Sequence, residues 1–207
     1  MTASLQLQSI ERAGYSMQLF VPNPQEVQEN YFRQKQENEN IPFPHWTRIW
    51  PAALAMTDFL YQHPSLTRNK TVLELAAGLG LPSFAAARNA TSVCCSDYLD
   101  EAVATMQRSA AYLQLSNISC IKLNWNHLPD NCQADIVLLS DVNYDTVEFD
   151  ALNRTLQRFL QQGATIILST PQRLMAKPFI EKLLPFCQQQ EETIIDDTAV
   201  SMFLLKY

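Results

Sequence analysis

The sequence predicts an α/β fold in which helices cover both faces of a mostly parallel sheet. Short apolar runs of strand length alternate along the chain with segments whose apolar residues recur at helical spacing. The run at residues 135–140 is apolar almost without a break, which is typical of a parallel strand buried on both faces. The last two runs, residues 193–195 and 201–207, leave no room for a helix between them and predict an antiparallel hairpin.

Composition and charge favour one domain, residues 41–207, with an N-terminal extension at residues 1–40. The chain of 207 residues is 47% hydrophobic and has a formal net charge of −6. Nucleic acid is not expected as a substrate, because phosphate contacts need clustered Lys and Arg. The first residues do not resemble a signal peptide, and no apolar run approaches the ~20 residues of a membrane span. We therefore expect a cytoplasmic monomer that binds no membrane.

The five cysteines show no C-x-x-C or His-rich spacing. We expect them to be reduced thiols, as in most cytoplasmic proteins, and we expect no metal site.

The extension is less regular than the rest of the chain. Residues 5–10 and 16–21 predict a short hairpin about Gly14. Residues 25–40 are polar with little apolar periodicity. They form either a solvated helix or loop, or a flap over the substrate.

Aromatic residues and prolines interleave in the next segment, residues 41–50. Pro51 then begins a helix, since proline suits the first helical position. One face of this helix is apolar, with Ala52, Ala55, Phe59 and Leu60. The aromatic segment is either core packing or a wall of a ligand site.

Residues 71–90 predict a strand, a glycine turn and a helix. Only four glycines occur in the chain, and Gly78 and Gly80 fall within three residues, so the backbone must turn tightly and let a ligand approach. A turn without a ligand is the simpler interpretation, but Glu74 ends an otherwise apolar strand, where an acid needs a partner or a ligand. Asp97 ends the next strand, nineteen residues after Gly78, where a ribose-binding acid stands in nucleotide-binding folds.

The remaining segments complete the sheet. The strand at residues 135–140 leads directly into Asp141, which should face the glycine turn because ligands of open α/β sheets bind where the strand order reverses. Pro82 and Ser83 stand where a dinucleotide fingerprint has its third small residue, which favours a nucleoside ligand without phosphates. Apolar spacing predicts further helices at residues 100–115, 149–159 and 175–186, and further strands at residues 118–125 and 165–169.

The turn carries a recognisable motif, Glu74-Leu75-Ala76-Ala77-Gly78-Leu79-Gly80. It resembles the acid-x-Gly-x-Gly-x-Gly motif of the class I S-adenosylmethionine-dependent methyltransferases, with Ala76 in place of the first glycine. This resemblance implies a Rossmann-like, seven-strand methyltransferase sheet whose last strand is inserted antiparallel.

Three further features resemble one subgroup, the non-SET protein lysine methyltransferases of the methyltransferase-16 type. They are Trp50-Pro51 before the first strand, Asn124-Trp125 at a strand end, and Asp141-x-x-Tyr144 after the next strand. The resemblance covers about residues 41–207.

The resemblance implies S-adenosylmethionine as the cofactor and S-adenosylhomocysteine as the product. It places Asp141 and Tyr144 beside the incoming amine. Core packing of the two tryptophans and loop capping by Asp141 are the alternatives to these roles. The residues that it places at the cofactor are Trp50, Glu74, Ala76, Gly78, Gly80, Asp97, Tyr98, Asn124, Trp125 and Ser140.

Three functions remain open at this point: a protein lysine N-methyltransferase, an N-methyltransferase of a small amine or heterocycle, and a non-catalytic interaction module. An open acidic groove at Asp141 would favour the first, a closed aromatic pocket the second, and a blocked glycine turn the third. A carboxylate raises the pKa of a nearby amine, so a further effect, such as aromatic desolvation, must favour the neutral nucleophile.

Overall fold

The computed structural model describes residues 3–41 and 43–207. Met1 and Thr2, in the predicted extension, and Pro42, in the aromatic segment, lie outside the described residues. The strands are β1 (Leu5–Arg12), β2 (Tyr15–Pro22), β3 (Thr71–Glu74), β4 (Ser92–Asp97), β5 (Ile118–Lys122), β6 (Ile136–Ser140), β7 (Thr165–Pro171), β8 (Cys187–Ile195) and β9 (Thr198–Leu205). The α-helices are α1 (Pro24–Glu37), α2 (Pro51–Gln62), α3 (Leu81–Ala87), α4 (Asp100–Tyr112), α5 (Phe149–Gln161) and α6 (Lys177–Leu183).

A seven-stranded sheet in the order β5-β4-β3-β6-β7-β9-β8 forms the centre of the molecule. Its first five strands are mutually parallel, whereas β9 is inserted between β7 and β8 and runs antiparallel to both. The predicted fold class is thereby confirmed. The chain moves outward from β3 through β4 to β5 and then returns to the other side of β3 with β6, so the strand order reverses between β3 and β6.

Helices bury both faces of this sheet. Alternate residues of β6 point to opposite faces, as the two-residue period of a strand requires. Ile136 and Leu138 join an apolar cluster with α2 and α3. Val137 and Leu139 join a second cluster with α5 and α6. Coverage on both sides explains why β6 is apolar throughout.

Several predicted boundaries differ from those of the structure. The predicted strand at residues 118–125 ends at Lys122, because the Asn124 side chain accepts the Asn126 N–H at 2.9 Å and caps a short 3-10 turn. The predicted strand start at residue 193 is wrong, since β8 begins at Cys187. This edge strand pairs only with β9 and carries a polar run on both faces, so no apolar period marks it.

The N-terminal hairpin of β1 and β2 packs against the helices of the main sheet. Arg12 at the end of β1 donates to Asp58 of α2, with a shortest N–O distance of 2.5 Å, and the Tyr15 hydroxyl donates to the same carboxylate at 2.8 Å. The Tyr15 ring also stacks on Tyr61 with 4.0 Å between centroids. After the hairpin, α1 begins at an Asn23 cap and has no buried residue, so it is a solvated helix.

Asp58 thus connects the hairpin to α2, and its removal should destabilise the protein. We expect Asp58→Ala to lower the free energy of unfolding by about 2 kcal/mol, because a carboxylate with three donors from Arg12 and Tyr15 is lost from a partly buried site. Denaturant unfolding measures the change.

The matched control is Asp150→Ala, which removes an exposed ion pair with Lys182 and should cost less than about 0.5 kcal/mol. Equal losses in the two variants would contradict the role of Asp58.

Candidate functional site

A cavity of about 500 Å3 opens at the carboxyl ends of the parallel strands, where the strand order reverses. Its wall is made by the aromatic segment before α2, the turn after β3, the ends of β4, β5 and β6, and the loop after β7. The predicted site residues that line it are Trp50, Ala76, Gly78, Gly80, Asp97, Tyr98, Asn124, Trp125, Ser140, Asp141 and Tyr144.

The turn after β3 adopts the left-handed conformation at three positions. Gly78 and Gly80 have φ values of 58° and 78°, and Ala76 has φ 51° despite its Cβ. A Cβ built on Gly80 would lie 3.0 Å from the Cys95 sulfur and 3.1 Å from the Phe84 ring, so a side chain at this position would force its neighbours to shift. Ala76, in place of the first glycine of the motif, still adopts the left-handed conformation, at a cost in backbone strain of about 1 kcal/mol.

Glu74 lies behind this turn and does not line the cavity. Its side chain is fully buried, and one carboxylate oxygen accepts from the Ser83 N–H at 2.9 Å and from the Ser83 hydroxyl at 2.5 Å. Burial raises its pKa to about 8, although the bonds from Ser83 act in the opposite direction. Glu74 thus connects the end of β3 to the first turn of α3 and shapes the cavity from outside it.

Asp97 holds the same turn from the cavity side. One carboxylate oxygen accepts from the Gly78 N–H at 3.0 Å, and the other accepts from the Leu99 N–H at 3.1 Å. Burial raises the pKa of Asp97, and these backbone N–H bonds lower it. The carboxylate is fixed at the end of β4, and Tyr98 beside it is partly exposed on the cavity wall.

Trp125 is held at the cavity by one hydrogen bond from its indole N–H and one to its backbone carbonyl. Its Nε1 donates to Glu148 Oε2 at 3.0 Å, and its carbonyl accepts from the Thr155 hydroxyl at 3.2 Å. Asn126 donates to the same Glu148 oxygen at 3.1 Å. Sequence reasoning missed Glu148, which also lines the cavity.

Asp141 is paired with an arginine that sequence reasoning also missed. The Arg173 guanidinium donates to both carboxylate oxygens of Asp141, through Nη1 to Oδ1 and through Nη2 to Oδ2 at 3.1 Å. Asp141 has φ 56° and donates its backbone N–H to the Ser169 carbonyl of β7 at 2.9 Å. Arg173 follows β7, the neighbour of β6, and the rule that strand ends share one edge would have placed it near Asp141.

Aromatic side chains of residues 43–50 line the same cavity. The His45 ring lies 4.9 Å from that of Tyr144, and the Trp50 Nε1 donates to the His45 carbonyl at 2.8 Å. The Arg48 guanidinium stacks on Trp50 at 3.7 Å from the ring centroid. Burial lowers the pKa of His45 and raises that of Tyr144 to about 12, so both side chains are uncharged at neutral pH.

The cavity can accept a nucleoside with an amino-acid tail. It combines a tight backbone turn, a buried acid at the end of the second parallel strand, a fixed indole and a paired acid, and it has room for such a ligand. In the part of the chain that the structure describes, no group of three or more His, Cys, Asp or Glu side chains is placed to hold a metal ion. Across residues 3–41 and 43–207, we find no helix with the length and apolarity that crossing a bilayer requires.

Comparison with known families gives a match over most of the chain. A family model described as lysine methyltransferase matches residues 32–186.

Individual relatives share less than a third of their aligned residues with this chain. The human protein named histone-arginine methyltransferase METTL23 is 28% identical over 143 residues, which are 66% of this chain and 75% of the relative. The Cryptococcus neoformans protein N-terminal and lysine N-methyltransferase EFM7 is 28% identical over 56% of this chain and 44% of its own length. The match spans about half the length of several other relatives.

Solved structures share the fold. The Thermus thermophilus 16S rRNA N2 G1207 methyltransferase RsmC, solved with AdoMet and guanosine, aligns with a TM-score of 0.66 at 15% identity. The alignment covers 98% of this chain and 51% of that one.

The buried acid behind the turn gives a pH-dependent prediction. With a pKa of about 8 in the folded protein and an ordinary value of 4.5, Glu74 binds a proton in the folded state that the unfolded state releases between these values. Its contribution to stability is therefore complete below about pH 4.5 and is lost as the pH rises to about 8. Relative to the wild type, Glu74→Gln should become more stable across this range, by at most about 1.4 kcal/mol per pH unit.

Urea unfolding at several pH values from 5 to 8 measures this difference. Glu181→Gln, at an exposed position, is the control and should differ from the wild type by a constant amount. A constant difference for Glu74→Gln as well would refute the buried-acid interpretation.

The space around Gly80 gives a second prediction. Gly80→Ala should lower the free energy of unfolding by about 3 kcal/mol, because the new Cβ adds a clash with Cys95 and Phe84 to the strain of a positive φ. Gly163→Ala is the matched control, since Gly163 has φ 86° and a Cβ added there would meet nothing within 4 Å, and it should cost about 1 kcal/mol. Calorimetric melting of both variants tests the prediction, which fails if the two losses agree.

Proposed function

The chain belongs to the lysine methyltransferase family, and from this premise we propose that it transfers the methyl group of S-adenosylmethionine to a lysine side chain of a protein. The observation that carries the proposal is the position of Asp141 and Tyr144. Both line the cavity after the end of β6, the strand that pairs with β3 beside the glycine turn.

The residues present fit the cofactor. Asp97 would accept hydrogen bonds from the ribose hydroxyls, the turn at Gly78 and Gly80 would admit the methionine end, and Asn124 and Trp125 would contact the adenine. When bound, S-adenosylmethionine supplies a methyl group on a positively charged sulfur. The protein needs no covalent nucleophile and has to align the acceptor nitrogen and exclude water.

The exposure of the cavity mouth supports a protein acceptor rather than a small amine. Tyr144 and Phe43, which line the cavity, are each more than 40% exposed. Val147 and Leu174, in the loops that follow β6 and β7, are 84% and 94% exposed. Exposed apolar side chains beside an open site are typical of surfaces that contact other proteins. A closed aromatic pocket would instead favour a small heterocycle.

Protein arginine is a second candidate acceptor. Asp141 already holds a guanidinium, that of Arg173, through both carboxylate oxygens. A substrate arginine that displaced Arg173 could be held by the same two oxygens, and the human relative is named a histone-arginine methyltransferase.

We also propose that the protein acts as a cytoplasmic monomer on proteins rather than on nucleic acids. The net charge of −6 supports the second part, because an acidic surface repels phosphate backbones.

Labelling of soluble proteins with isotopically marked S-adenosylmethionine tests the proposal, with the labelled residue identified by mass spectrometry. Asp97→Ala should lose at least tenfold in cofactor affinity by calorimetry, because its backbone contacts and its hydrogen bonds to ribose disappear. Asp141→Asn, which tolerates the positive φ, should keep cofactor affinity within about threefold. Its turnover should fall about tenfold to a hundredfold, because the acceptor loses the carboxylate that aligns it for transfer.

Asp150→Asn, at an exposed position that does not line the cavity, is the control and should match the wild type. Equal loss of affinity and turnover in Asp141→Asn would remove Asp141 from the acceptor end. Absence of cofactor binding by the wild type at millimolar concentration would favour the interaction module, and labelled arginine would favour the second candidate.

A further inference from the structure

The acid at the acceptor end is not free to act as a simple anion. Asp141 is only 7% exposed at its side chain, and its partner Arg173 is 28% exposed. The pair joins two neighbouring loops, since Asp141 follows β6 and Arg173 follows β7. A second bond between these segments, from the Thr170 hydroxyl to Asn143 Oδ1 at 2.6 Å, holds them in register. The positive charge is therefore built into the site.

This charge bears on the protonation of the acceptor, because the lone pair of an ammonium nitrogen is occupied by a proton and cannot attack. A nearby carboxylate stabilises the ammonium and raises its pKa, whereas a nearby cation lowers it. Asp141 alone would thus bind the acceptor in its unreactive form. Asp141 with Arg173 presents a nearly neutral pair to the amine.

The other groups facing the cavity do not replace Arg173 in this role. Burial keeps His45 neutral at physiological pH, and the Arg48 guanidinium lies on the Trp50 ring. Glu148 is bonded to Trp125 and Asn126, while the Asp145 carboxylate caps the Val147 N–H. The titratable and charged groups on the cavity wall are His45, Arg48, Asp97, Tyr98, Asp141, Tyr144, Asp145, Glu148 and Arg173.

We propose that Arg173 is a positioning residue of the acceptor site that neutralises Asp141 and thereby favours the uncharged, nucleophilic form of the substrate amine. The inference rests on the proposed function. The amine releases its proton to water at the cavity mouth before transfer. Its nitrogen lone pair then forms the new N–C bond, and the electrons of the broken S–C bond return to sulfur. The positive charge leaves sulfur and ends on the methylated nitrogen.

The pH dependence of kcat, measured at a saturating concentration of the lysine-bearing protein labelled in the experiment above, tests this role in Arg173→Gln and Arg173→Lys, because kcat reports the pKa values of the bound complex. Removing the cation should raise the pKa of the bound amine by about one unit or more. The rising limb of the Arg173→Gln profile should therefore move to higher pH, with a loss of about tenfold or more at pH 7 that closes near pH 10. Arg173→Lys keeps the charge but not the forked geometry, and its profile should stay close to that of the wild type.

Two controls separate this role from a structural one. Arg154→Gln, on the exposed side of α5, should leave the profile unchanged. Cofactor affinity of Arg173→Gln, measured by calorimetry, should remain within about threefold of the wild type, because Arg173 acts on the acceptor.

An Arg173→Gln profile that runs parallel to the wild type, or activity that is undetectable at every pH, would overturn the inference while leaving the proposed function intact. Failure of the wild type to label any lysine would overturn both.

Discussion

Two buried acidic side chains fix the turn between β3 and α3, and the shape of the site depends on that turn. Glu74 lies behind it and accepts from the Ser83 N–H and hydroxyl. Asp97 lies in front of it and accepts from the Gly78 and Leu99 N–H groups. Burial of an acid is unfavourable unless such bonds are made. The two acids therefore specify one backbone path, in which Ala76, Gly78 and Gly80 all take positive φ. This path leaves the carboxyl ends of β3 and β6 open as a cavity.

Much of the fold could be predicted from the sequence because the inner strands are buried on both faces and their apolar runs are nearly continuous. The edge strand β8 could not be placed correctly, since one of its sides faces solvent and its Gln- and Glu-rich start has no apolar period. The candidate site divides in the same way. Gly78, Gly80 and Asp97 could be predicted from their local spacing along the chain. Glu148 and Arg173, the hydrogen-bond partners of Trp125 and Asp141, could be identified only once the neighbouring strands are known.

Glu74 shows why a motif residue can be found without its role. The sequence shows an acid at the end of an apolar strand, and this was sufficient to expect a partner or a ligand. The structure supplies the partner, Ser83, in the first turn of α3. An acid in this position can shape the cofactor cavity without contacting its contents, because the backbone between Glu74 and Ser83 is the cavity wall.

In the proposed function, the acceptor end has to satisfy two opposing electrostatic demands. An anion near the acceptor nitrogen stabilises the positive charge that develops there during transfer, and it stabilises the same nitrogen as an ammonium beforehand. Protonation places a full charge on nitrogen, whereas the transition state carries part of one. Weakening the anionic field therefore favours deprotonation by more than it disfavours transfer.

An ion pair such as Asp141 with Arg173 gives a net advantage whenever the pH lies below the pKa of the amine. Above that pKa the advantage reverses, because the amine is already neutral and only the stabilisation of the transition state remains. A paired acid thus suits a basic acceptor such as lysine at neutral pH.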